Sequence, residues 1–259
     1  MARRPGGVWR AVGASVQGVS HLRNGTPCQD SNQVLELENG ILVAAVADGA
    51  GSAPESHLGA NWAARAAVEG LAERLRQRVP DAADEWHALL RDGMEAARQA
   101  VMDLSADSFG LAPQDLATTL LLAVALPDRV AAAQVGDGAV VVRLADETLH
   151  AVTRPPVGEF INETTFLTSP NWAQKAQFVM RPAPVTGLVM FTDGLQMLAL
   201  KMPQGVPHVP FFQPLLRFVA ATDSQAQALS QLEGFLQSPR IRQRADDDLT
   251  LMLAVRDGK

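Results

Sequence analysis

Acidic side chains with the right chemistry for a hard cation recur at four places in the chain: Gln29-Asp30, Asp48-Gly49, Asp193-Gly194 and Asp246-Asp247-Asp248. Three adjoin apolar runs that read as β-strands, residues 41–47 before Asp48, 188–192 before Asp193 and 249–255 after Asp248. Carboxylates at strand ends can meet at one edge of a sheet. Left unpaired, such like charges resist ionising together; a divalent cation removes that penalty, and an all-oxygen donor set suits Mg²⁺ or Mn²⁺.

The elements that would deliver these groups follow from periodicity. Residues 9–19 form a plausible first strand, and 21–32 read as a loop with Asn24-Gly25 and Pro27 as turn formers. Asn39-Gly40 between the apolar runs 34–37 and 41–47 is a hairpin signal, which puts Asp48 at the end of a hairpin strand. Helical spacing over 55–79 (Leu58, Trp62, Ala66, Leu71, Leu75) and 84–104 (Trp86, Leu89, Leu90, Met94, Val101) predicts two consecutive helices. Runs at 116–126, 130–135 and 139–144 predict three successive antiparallel strands. Residues 155–184 lack periodicity and read as an irregular flap; 195–200, 211–220 and 224–236 read as helical, and 249–255 as a closing strand. Strands grouped apart from helices indicate α+β. No repeat or linker interrupts 8–256, so a single domain is expected.

Bulk properties exclude several classes. With 22 Lys and Arg against 28 Asp and Glu, the net charge of −6 disfavours nucleic acid and an anionic membrane surface. The lone Cys28 cannot form an intrachain disulfide. No stretch approaches the roughly 20 apolar residues of a membrane span, and residues 1–9 lack a signal-peptide core. A cytoplasmic protein is expected.

Six segments, in order, resemble the motifs of the metal-dependent Ser/Thr protein phosphatases, the PPM or type 2C family. They are Cys28-Gln29-Asp30-Ser31-Asn32, Val46-Ala47-Asp48-Gly49-Ala50-Gly51-Ser52, Ala117-Thr118-Thr119, Val135-Gly136-Asp137-Gly138, Phe191-Thr192-Asp193-Gly194-Leu195 and Asp247-Asp248-Leu249-Thr250. Residues 21–30, with Gly158-Glu159-Phe160 and Asn162-Glu163-Thr164-Thr165-Phe166, resemble a bacterial branch of the family, whose members can occur beside Ser/Thr kinases and von Willebrand factor A domain proteins. The resemblance implies two stacked, mostly antiparallel sheets between helical layers, an αββα sandwich. It also implies hydrolysis of phosphoserine and phosphothreonine in proteins by a water bridging two Mg²⁺ or Mn²⁺ ions. Asp48 would bridge the ions, the Gly49 carbonyl would be a ligand of one, Asp193 and Asp247 would complete the second, and Asp30 would act through water. Asp137 would hold a third ion; as plain sequence it also reads as a tight hairpin turn. Asp246 and Asp248 would sit behind the ligands or in solvent.

The chain departs from the family at the periphery. Gly25 stands where several members carry a phosphate-gripping Arg; Arg23, two residues upstream, could be looped inward to replace it or could be a solvated surface group. Ala50 stands where eukaryotic members have a His proposed as general acid. Cys28 does not make a tyrosine-phosphatase loop, because Val34 occupies the position of the required Arg. A catalytically weak module that binds a phosphoprotein or a kinase is the alternative, and a two-metal nuclease or phosphodiesterase is a third reading that the acidic charge disfavours.

Overall fold

From Val12 to Val16, every second residue of the first strand, β1 (Trp9–Val16), is buried, as a sheet covered by a core on one face requires. The computed structural model describes residues 8–108, 110–156 and 164–256. A short helix, α1 (Val19–Asn24), follows where a loop is expected. Gly25 ends it at φ 70°, with its N–H donating to the His21 carbonyl. The Asn24-Gly25 pair is thus a helix stop, since glycine takes the left-handed C-terminal position without a Cβ clash.

The expected hairpin forms from β2 (Asp30–Glu36) and β3 (Leu42–Asp48). The Leu37 N–H donates to the Ile41 carbonyl at 2.8 Å, which leaves a three-residue loop. Both long helices form, α2 (Ser56–Gln77) and α3 (Ala83–Asp107), and cover one face of the sheet that contains β2 and β3. In α3 the five apolar positions expected to face inward are buried. In α2 the expected Leu71 and Leu75 are buried, together with the small residues Ser56, Gly59, Ala60, Ala63, Ala64, Ala67 and Ala72 and with Val68, while Trp62 is 44% exposed. Small side chains let α2 lie close to its neighbours, and that closeness leaves no room for an indole.

The strands β4 (Leu120–Ala125) and β5 (Arg129–Val135) pair as expected. The next, β6 (Ala139–Leu144), does not pair with β5. It crosses at Gly136-Asp137-Gly138 into a second sheet, beside β7 (Leu149–Thr153), so the hairpin reading of Asp137 is corrected. Local alternation marks a strand but carries no information about its partner. The supposed flap is partly regular: it contains α4 (Trp172–Lys175) and β8 (Gln177–Pro182), an edge strand on β5. Residues 157–163, with Gly158, Glu159, Phe160, Asn162 and Glu163, lie outside the described residues.

The chain continues through β9 (Val185–Phe191), α5 (Gln196–Ala199) and the small ribbon of β10 (Leu200–Lys201) and β11 (Val206–Pro207). It ends with α6 (Val209–Ala221), α7 (Gln225–Leu236), α8 (Pro239–Arg242) and β12 (Leu249–Arg256). One sheet has the order β1-β12-β9-β6-β7 and the other β2-β3-β4-β5-β8, both antiparallel. Leu42, Val46, Leu121, Val140, Met190 and Met252 pack between the two sheets; α6 and α7 cover the outer face of the sheet that contains β1. The result is the expected αββα sandwich, in which strand ends from both sheets reach a common edge.

Candidate metal centre and active site

Asp30 opens β2 and Asp48 closes β3, and the register sets them directly opposite each other. Like charges in that position oppose strand pairing, so their placement needs a compensating cation or a proton. The backbone around Asp48 is tightly held: its N–H donates to Thr119 Oγ1 at 3.0 Å, and its carbonyl accepts from Thr118 Oγ1 at 3.0 Å and the Thr119 N–H at 2.8 Å. Gly49 continues that contact through a bridge to Thr118. A Cβ on Gly49 would lie 2.7 Å from the Gln29 carbonyl oxygen, so any larger residue would push the hairpin end away from β2.

The second sheet supplies Asp193, the residue that opens the 3₁₀ turn following β9. Thr192, just before it, donates its hydroxyl to Asp30 Oδ2 at 2.9 Å, tying the two sheets together at the site. Asp137, on the crossing between the sheets, accepts the Thr164 hydroxyl at 2.8 Å. Asp48 and Asp193 are within hydrogen-bonding reach of each other, and both feel the charge of Asp137.

These carboxyls resist ionisation together. Burial, reinforced by Asp248 and Asp193, pushes Asp30 up to about 8 against the opposing pull of the Thr250 and Thr192 hydroxyls. Asp48 is raised well above the carboxylate range, by burial first and then by Asp30, Asp193 and Asp137. Asp193 is raised to about 6 by burial, Asp137 and Asp247, with the Asp48 hydrogen bond and the Gly194 N–H pulling the other way. Asp30 Oδ1 is buried with no hydrogen-bond partner. Orphaned, mutually repelling oxygens of this kind are what a hard cation satisfies, so the residues fit a divalent-ion site.

Asp247 and Asp248 do different jobs, although adjacent. The Asp247 side chain is 60% exposed, and its Oδ1 accepts the Asp248 N–H at 2.8 Å. Asp248 is buried; Oδ1 accepts the Gly18 N–H and Oδ2 the Gln29 N–H, each at 2.6 Å. His21 Nδ1 lies 2.9 Å from Asp248 Oδ2, and His21 Nε2 lies 3.8 Å from Asp247 Oδ1. Asp248 therefore clamps the start of β2 and the end of β1 to the start of β12, and of the two roles left open for it, behind the ligands or in solvent, the buried one holds. Ligand atoms of His21, Asp247 and Asp248 all lie within 4.8 Å of one another, so this corner could also hold an ion. Residue type alone did not separate ligand from clamp among three consecutive aspartates.

Arg23 is exposed on α1. His57 Nδ1, in the first turn of α2, lies 3.8 Å from Glu55 Oε2. The Cys28 thiol is pushed far up by burial and by the Asp30 and Asp248 carboxylates, which removes it as a nucleophile. Thr192 and Thr164 emerge as site residues that sequence reasoning quoted within motifs without giving them a role.

The motif order, the sandwich and the converging carboxyls can be set beside known proteins. Residues 17–237 match the family model described as protein phosphatase 2C. The chain belongs to the protein phosphatase 2C family. It is 35% identical over 253 residues, 95% of this chain and 98% of the relative, to the serine/threonine-protein phosphatase 3 of Escherichia coli strain K12. Among solved structures, the serine/threonine phosphatase Stp1 of Staphylococcus aureus superposes with a TM-score of 0.63 at 14% identity, covering 100% of this chain and 99% of that one. The S. agalactiae serine/threonine phosphatase does so with 0.63 at 16% identity, covering 95% and 99%. At these identities the structural likeness speaks for the fold. Asp247 lies beyond the residues that the family model matches, so its assignment rests on the Asp-Asp-Leu-Thr segment and on the geometry around it.

Proposed function

We propose that the chain is a phosphoprotein phosphatase of a single domain, 8–256, that hydrolyses phosphoserine and phosphothreonine with two Mg²⁺ or Mn²⁺ ions. The observation that carries this is the convergence of Asp30, Asp48 and Asp193 from two sheets, with an orphaned carboxyl oxygen and raised proton affinities. Asp48, the Gly49 carbonyl, Asp193 and Asp247 would hold the ions, Asp30 would act through intervening solvent, and Asp137 would serve a third ion. When bound, such ions supply Lewis-acid charge and activate water for attack on phosphorus. Asp48 and Asp193, whose burial favours the protonated form in the metal-free chain, would hold such ions as carboxylates. Thr192 keeps Asp30 oriented, and Thr118 and Thr119 fix the Asp48 backbone so that its carboxyl does not retreat.

The substrate is a phosphorylated protein; a Ser/Thr kinase or a von Willebrand factor A domain protein as partner rests on the likeness of residues 21–30 and 158–166 to the bacterial branch. No helix among the described residues is long and apolar enough to cross a membrane, and we place the chain in the cytoplasm. A weakly active binding module is the second reading, favoured by Ala50, which has no proton to give, and by the exposure of Arg23. Release of phosphate from p-nitrophenyl phosphate with Mn²⁺, lost with chelator and in Asp48→Asn and Asp193→Asn, supports the enzyme; no Mn²⁺-dependent release by the unmodified chain leaves the binding module.

A further inference from the structure

A cavity of about 650 Å³ opens on the outer helical layer, walled by α5, β10, α6, α7 and α8. Its size is that of a small-molecule site. The wall is aromatic and aliphatic: Phe211, Phe218, Leu232 and Phe235 line it, with the Phe211 and Phe235 rings 6.3 Å apart and tilted. Met197, which lines it, is 75% exposed, more than any other large apolar side chain among the described residues.

The charge around this apolar floor has one sign. Lys201, Arg240 and Arg244 line the cavity, and no Asp or Glu is among its lining residues. None of the three makes an ion pair among the described residues. In a chain whose acidic residues outnumber the basic ones, 28 to 22, a ring of unopposed cations over a greasy pocket is a departure from the average surface. Buried apolar area binds a hydrocarbon body, and guanidinium groups at the rim bind a terminal carboxylate or phosphate with charge-assisted hydrogen bonds.

We propose that this cavity binds an amphipathic anion, a small molecule with an acyl or aryl body and one terminal carboxylate or phosphate. Bare hydrophobicity would accept a neutral chain as readily; the cationic rim is what selects the anion. The site does not depend on the phosphatase reading, although α5, which supplies Met197 and Leu198, directly continues the turn that begins at Asp193.

Isothermal titration of the full chain with decanoate, decyl phosphate and decan-1-ol tests it. Saturable binding of one equivalent of at least one of the two anions is expected, with the alcohol about tenfold weaker or worse, the worth of a charge-assisted hydrogen bond. Lys201, Arg240 and Arg244 are exposed, so Lys201→Gln with Arg240→Gln and Arg244→Gln should keep the thermal midpoint while erasing the preference for anion over alcohol. Leu232→Trp, which fills the floor, should abolish binding of all three; because it is buried, its fold is checked by circular dichroism, and Met197→Trp serves if it unfolds. Failure of both anions to saturate, equal affinity for the alcohol, or an anion preference that survives the triple Gln variant would overturn the proposal.

Discussion

Asp48 is costly to the protein that carries it. Its carboxyl faces Asp30 across the hairpin and meets Asp193 from the other sheet, and burial raises all three proton affinities. Asp48→Asn removes that repulsion without changing shape. The expected outcome is a loss of phosphatase rate on the order of 100-fold or more, together with a gain in stability of the metal-free chain; parallel kinetics and urea denaturation with chelator check both signs. Asp248 is the opposite case, a carboxylate that holds two backbone N–H groups at 2.6 Å and adjoins His21. Asp248→Ala should cost about 2–4 kcal/mol by urea denaturation, because the Gly18 and Gln29 donors are left buried and unmet. Sequence type and spacing alone do not tell Asp247 from Asp248. What distinguishes them is direction, since Asp247 faces solvent and Asp248 the interior, and direction within Asp246-Asp247-Asp248 is set by the entry to β12 and not by the residues themselves.

At the scale of elements, the hairpin β2–β3, the helices α2 and α3 and the closing strand β12 were legible because each has a strong local period. The crossing from β5 to β6 was not: Gly136-Asp137-Gly138 looks like a hairpin turn, and only the packing of two sheets decides that β6 pairs with β7 and β9. The strand β8 escaped notice because its residues are half-buried, so its sequence hardly alternates. Trp62 misled for a related reason, that α2 needs small side chains on its buried face. The same closeness connects α2 to the site. A Cβ on Gly59 would lie 2.0 Å from the Leu116 carbonyl oxygen, just before the Ala117-Thr118-Thr119 segment that holds Asp48. Gly59→Ala should therefore destabilise by about 1–3 kcal/mol, as overpacking does, and raise the Mn²⁺ concentration needed for half activity. A stability loss with unchanged Mn²⁺ dependence would show that the segment is not what positions Asp48.

For the whole molecule, two stacked sheets concentrate carboxyls at one edge, and this gives the metal-free chain an inverted response to pH. Asp193 and Asp30 keep protons in the folded state to about 6 and about 8, whereas the ordinary value is 3.8. Between those values the folded chain binds more protons than the unfolded chain, so metal-free stability should fall as pH rises from about 4 to about 8. Thermal melts in chelator should show that decline, and saturating Mn²⁺ should flatten or reverse it, since cations take the place of the protons. The most direct measurement is calorimetric titration of the chelator-treated chain with Mn²⁺ near pH 7.5, with the unmodified protein, Asp48→Asn and Asp193→Asn side by side. Two ions per chain are expected, with proton release into the buffer and with binding to at least one site lost in each variant. Absence of binding, or binding that neither substitution changes, would contradict the proposal that the converging aspartates form the metal centre.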